Sequence, residues 1–155
     1  MKLQVALELL TLFFAGILVG LEICAHYGFQ APILALEPKS QIRFRQGAVR
    51  TLRWIVPAFF VPAAACGIAL TFIQGFSAGF IFRAAATVSF LVWIAIRLIG
   101  TVPINSASVE WSADDPPRDW SKRLAKAERL HVVGAWAALA AFVCILLSVG
   151  TKLST

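Results

Sequence analysis

Residues 128–149 read ERLHVVGAWAALAAFVCILLSV. From Leu130 to Val149 this stretch contains no Asp, Glu, Lys or Arg. At about 1.5 Å of rise per residue it spans roughly 30 Å as a helix, the thickness of a bilayer's hydrocarbon core. The spacing therefore predicts a membrane-crossing helix with Glu128, Arg129 and His131 at its mouth. Ionisable side chains at the edge of a membrane helix cost free energy and mark candidate functional positions. Glu128 and His131 are three residues apart, so a helix puts them on one face.

Three further apolar runs have similar length. The predicted spans are 3–25, 54–73, 80–99 and 130–149, separated by polar loops over 27–53 and 100–128. The expected fold class is all-α: one transmembrane domain over residues 1–155, an integral membrane four-helix bundle. Composition agrees, with 59% hydrophobic residues, 14% charged and a mean hydropathy of +0.81. A soluble domain has about a quarter of its residues charged. The net charge of +6 does not indicate nucleic-acid binding, because the cations lie in the two loops between apolar runs. That pattern serves membrane topology and contact with anionic headgroups. Cys24, Cys66 and Cys144 each fall inside an apolar run and read as small apolar residues, not as a disulfide framework. The first run is a retained helix, since Glu22 is a poor neighbour for a signal-peptide cleavage site.

Within the first span, Glu8, Glu22 and His26 fall within about 40° of one another around the helix, a polar stripe that turns from lipid towards protein or water. Gly16 and Gly20 form a small-xxx-small pair suited to close helix approach. Ser40–Arg53 is expected as a short interfacial helix. Pro57 and Pro62 are expected to kink the second span, and Arg83 and Arg97 to snorkel from the third to an interface. Trp54 and Trp120 read as interfacial belt residues, Trp93 and Trp136 as packing residues. Trp120–Glu128 is expected to run directly into the fourth span, and the tail Gly150–Thr155 to fray. Ten Lys and Arg residues lie in the two long loops, counting Arg129 at the edge of the second, against Lys2, Arg83 and Lys152 on the other side. This predicts a multi-pass cell-membrane protein with both termini outside and both long loops cytoplasmic.

Antiparallel spans then bring Glu22 and His26, Arg97 and Asn105, and Glu128 and His131 to one interface. Three chemistries suit such a set. Glu128-x-x-His131 and Glu22-x-x-x-His26 have the spacing of metal-ligating pairs in helix bundles, with Glu110 or Glu37 as further carboxylates and iron or copper as candidate ions. His26 and His131 are also candidate axial ligands of one haem. Without a cofactor, His131 is a general base oriented by Glu128 or Glu22. Asn105 and Arg97 then stabilise an oxyanion, and Trp111, Trp54 and Phe44 flank an apolar aromatic substrate. The competing reading has no chemistry: Glu22, His26, Glu128 and Arg129 pair with one another, and Asn105 only makes a turn.

The run Thr101-Val102-Pro103-Ile104-Asn105, then Trp111, Trp120 and the Arg129-Leu130-His131 triplet, resembles the anthrone oxygenase-like family of small membrane proteins. Phe14-Ala15-Gly16 and Ala31-Pro32 are also similar. The resemblance implies a four-helix membrane protein and, in some members, oxygenation of anthrone-type polyketides without an obvious cofactor. It singles out Asn105, Trp111 and His131. The chain departs from the family pattern after His131, where Val132-Val133-Gly134 stands in place of a further arginine. Two function classes follow: an oxygenase-like enzyme for an apolar aromatic or quinol-like substrate, and a non-catalytic subunit. The latter would work as a homo-oligomer or within a membrane complex.

Overall fold

A computed structural model of the chain describes residues 2–153. It is all-helical, with six α-helices: α1 (Lys2–Ile23), α2 (Gln30–Leu34), α3 (Pro38–Gln74), α4 (Phe80–Ala95), α5 (Val102–Val109) and α6 (Trp120–Leu153). Two π-helical segments, Cys24–Gly28 and Ile96–Thr101, follow α1 and α4 directly. Four stretches are long and apolar enough to cross a membrane: Leu3–Leu34, Pro38–Gln74, Phe80–Val109 and Trp120–Lys152. The chain is thus a multi-pass membrane protein built as a four-helix bundle. Met1, Ser154, Thr155 and the side chains of Lys2 and Leu153 lie outside the described residues, and with them Lys2 of the orientation count and the end of the tail.

The long helices form a ring in which α1 packs on α3 and α6, and α4 packs on α6 and α3. The core is made largely of small residues: Ala15, Ala63, Ala138 and Ala141 are fully buried, with Leu18, Phe90, Trp93 and Ile145 filling between them. In lipid there is no hydrophobic drive between apolar helices, so small residues that let backbones approach provide the packing. Gly16 performs this role, and a Cβ there would sit 3.5 Å from the Phe142 ring. Gly20 does not, having nothing within 4 Å. Trp136, expected to pack, is instead 58% exposed on the outer face, while Trp93 is buried. Cys24 is likewise exposed.

Two helices outrun the bilayer. At about 1.5 Å per residue, α3 and α6 are each on the order of 50 Å long, so about half of each extends past one 30 Å core. Ser40–Arg53 is therefore the first half of α3 and not a separate helix. Pro38 opens α3, where its missing N–H costs nothing, and no breaker follows before Pro57. The helix stays continuous through Pro57 and Pro62. Trp120–Glu128 runs into the fourth span as expected. Val102–Asn105, expected within a polar loop, is the start of α5, with Pro103 in its first turn. α5 touches both α3 and α6 and ties their projecting ends together.

At the opposite end α3 turns into α4 through Gly75–Gly79. Gly75 and Gly79 have φ of +51° and +78°, the region where a side chain is strained. Arg83 does not snorkel outwards here. It is buried, and its guanidinium donates to the Gly75 and Ala78 carbonyls at 2.9 Å each.

Candidate functional site

The polar residues of the first and last spans meet, but crosswise. His26 Nδ1 lies 2.5 Å from Glu128 Oε1. A carboxylate only accepts, so Nδ1 carries the hydrogen, and in the neutral imidazole Nε2 presents a lone pair. His26 Nε2 has no hydrogen-bond partner among the described residues, and the ring stands edge-on to Tyr27 at 4.6 Å. Glu22 is 2% exposed. It receives Arg97 on both carboxylate oxygens and has His131 Nδ1 3.5 Å from Oε2. His131 Nε2 lies 3.3 Å from the Glu22 backbone carbonyl. Both nitrogens of His131 are therefore turned to Glu22. The two imidazole centroids are 6.3 Å apart.

Local backbone geometry puts these groups in reach. His26 sits in the π-helical segment after α1, and Arg97 in the one after α4. A π-turn adds a residue to the helical repeat, rotates the side chains that follow it, and is frequent at functional sites. Arg97 consequently faces inward, against the expected snorkelling, and its guanidinium also lies 5.2 Å from the centroid of the Trp93 ring. Trp93 stacks on Phe60 at 4.4 Å and 26°. Gly100 lets α6 come close at this level: a Cβ there would be 2.7 Å from Leu130 Cδ1.

Asn105 lies beside this cluster and not inside it. Its Oδ1 accepts from Arg45 Nη2 at 2.8 Å. Trp111 is half-buried, and its backbone carbonyl, with those of Ser108 and Val109, receives Gln46 Nε2. Gln46 thus satisfies carbonyls that the end of α5 leaves without helical partners. Arg45 and Gln46 were not singled out from the sequence, where they read as part of a basic interfacial stretch. The signal available was an uncharged glutamine between cations. Trp54 and Phe44 are exposed on α3, and Glu37 and Glu110 are exposed at helix ends, so neither acid joins the cluster. Among the described residues no group of three or more His, Cys, Asp or Glu is gathered to hold a metal ion. The four expected ligands are instead engaged in pairs, Glu22 with Arg97 and His131, and Glu128 with His26.

The loop beneath the site is tethered as well. Lys39 at the start of α3 pairs with Asp114. Its hydrogen bond and charge hold the Asp114 carboxyl below the usual carboxylate range. Asp119 is lowered in the same way by the hydrogen bond from Arg123.

Comparison with protein-family models found no match, and comparisons with curated proteins and with solved structures found none either.

Proposed function

We propose that this chain is a small membrane enzyme whose crossed Glu–His pairs form an acid–base site for an apolar aromatic substrate with a weakly acidic hydrogen, of the phenol, anthrone or quinol type. The observation that carries this reading is the His26–Glu128 dyad with its unpartnered Nε2. A carboxylate on Nδ1–H fixes the tautomer and stabilises the imidazolium that forms when Nε2 takes a proton. The base is thus His26, with Glu128 as its orienting partner, while His131 and Arg97 hold Glu22. Asn105, whose carbonyl oxygen is engaged by Arg45, keeps its amide N–H groups for an oxyanion. The substrate class follows from the position of the dyad at the end of a membrane bundle and from the resemblance to anthrone oxygenases. In that chemistry His26 removes a proton from the substrate, and the electron-rich anion is oxidised by dioxygen. A methylene loses two hydrogens and four electrons, one oxygen atom ends in the new carbonyl, and the other leaves as water. The positive-inside bias puts this site at the cytoplasmic interface, with both termini outside.

The test is turnover of an anthrone and of a quinol by the full chain in lipid vesicles under oxygen. A general base contributes about 10²- to 10⁴-fold, so His26→Gln is expected to lose at least a hundredfold in kcat, and Glu128→Gln less. Turnover unchanged in His26→Gln would sink the assignment. A second reading has its own support. Glu22 and Arg97 pair directly and occupy the middle of the cluster, as expected of a non-catalytic subunit whose polar groups fix helix packing. Under that reading, neither substrate is turned over and every variant in the cluster acts on stability alone.

A further inference from the structure

Towards the other end of the bundle, away from the histidines, lies a cavity of about 280 Å³. Its wall is apolar, formed by Phe60, Ala64 and Ile68 of α3 and by Phe90, Leu91 and Ile94 of α4. Ile68 and Leu91 are themselves exposed on the outer surface, so side chains of the cavity wall on α3 and α4 also face acyl chains. Phe60 and Phe90 stand edge-to-face at 5.9 Å within it, a wall suited to a flat ring.

Its polar end is Arg83, which is 6% exposed. Four hydrogen bonds tie its terminal nitrogens to the Gly75 and Ala78 carbonyls and the Ser77 and Ser148 hydroxyls. Every one of these acceptors is neutral. The buried Arg83 Nε–H has no acceptor among the described residues. A buried donor left unpaired is costly, and a hydrogen bond from a charged donor is stronger than a neutral one. Glu8 also lines the cavity, already engaged by Lys152 and by Gln74 Nε2. Its negative charge disfavours an anionic guest beside it. A neutral acceptor meets both conditions.

We infer that this cavity binds a neutral, apolar, ring-bearing carbonyl compound drawn from the bilayer, with its carbonyl oxygen on Arg83. The volume fixes the scale, since a cavity of about 150 Å³ takes one benzene ring. A guest of two fused rings fits here. The inference does not rest on the histidine cluster and stands if that site proves non-catalytic.

The probe is 1-tetralone, two fused rings with one carbonyl, measured by equilibrium dialysis against the full chain in lipid nanodiscs, with empty nanodiscs as reference. Tetralin, which lacks the carbonyl, and decanoate, an apolar anion, are measured alongside. Saturable binding of one tetralone per chain is expected, at least tenfold tighter than tetralin and tighter than decanoate. Ala64→Leu, which fills the cavity and leaves Arg83 in place, is expected to abolish it. Arg83→Gln is expected to bring tetralone down to the level of tetralin. Because Arg83 also holds the Gly75–Gly79 turn, Ala64→Leu keeps the inference testable if Arg83→Gln fails to fold. No excess over empty nanodiscs, or equal binding by Ala64→Leu, overturns the site. Tighter binding of decanoate overturns the neutral head.

Discussion

The two ends of this bundle treat a largely buried arginine in opposite ways. At the histidine end a largely buried cation meets a buried anion: Glu22 is locked by Arg97 with His131 beside it, and next to them Glu128 accepts from His26. At the other end the buried cation Arg83 is met by neutral carbonyls and hydroxyls, and an apolar cavity lies against it. The first arrangement fills space and cross-links α1, the end of α4 and α6. The second holds one tight turn and leaves room. A buried ion pair is weak evidence for stability in itself, but removing one partner strands the other. The ends should therefore respond differently to the same kind of substitution.

The largest effect is expected at Glu22. Glu22→Gln keeps the shape and strands Arg97, with a loss of about 3–5 kcal/mol, read as reduced resistance to thermal or detergent denaturation. Glu22→Leu with Arg97→Met should recover most of it, since paired apolar replacement is often near neutral. Glu8→Gln at the opposite end should cost less, because Lys152 is 28% exposed and water takes up its charge. Equal losses at Glu8 and Glu22 would break the comparison.

A smaller effect tests the turn that Arg83 holds. Gly79 has φ +78°, and a Cβ there would lie 2.9 Å from the Ser148 carbonyl oxygen. Gly79→Ala should cost about 1–3 kcal/mol. Gly20→Ala, in open space on a helix, should be neutral or stabilising by up to about 1 kcal/mol. A neutral Gly79→Ala would mean the turn rearranges freely.

The smallest effect is at the loop under the histidine end. Asp114 is lowered in the folded protein by Lys39. The tether is therefore present above the ordinary carboxylate pKa and lost as pH falls through the lowered value. Amide exchange over residues 112–118, taken relative to its intrinsic rate at each pH, should quicken across that acid window, and Asp114→Asn should show the quickened relative rates already at neutral pH. Wild-type rates in Asp114→Asn would show that the loop is held by other contacts.

Several features were legible in the sequence because they depend on local pattern alone. Four charge-poor runs of bilayer length determined four helices, whatever their neighbours. Three- and four-residue spacings determined that Glu22 and His26, and Glu128 and His131, share faces, and antiparallel crossing brought the pairs to one level. The continuity of Trp120 into the fourth span needed only the absence of a breaker.

Tertiary structure decided the partners. Spacing gives a face but not the rotation of one helix against another, so it did not show that His26 takes Glu128 and His131 takes Glu22. His26 and Arg97 both lie in π-helical segments, and no residue type announces a π-turn. Arg97 and Arg83 read as snorkelling cations because sequence gives depth, not direction. Gln46 became a cap only when α5 folded between the ends of α3 and α6. The cavity at Arg83 is lined by residues of all four long helices, and that is a property of four helices together.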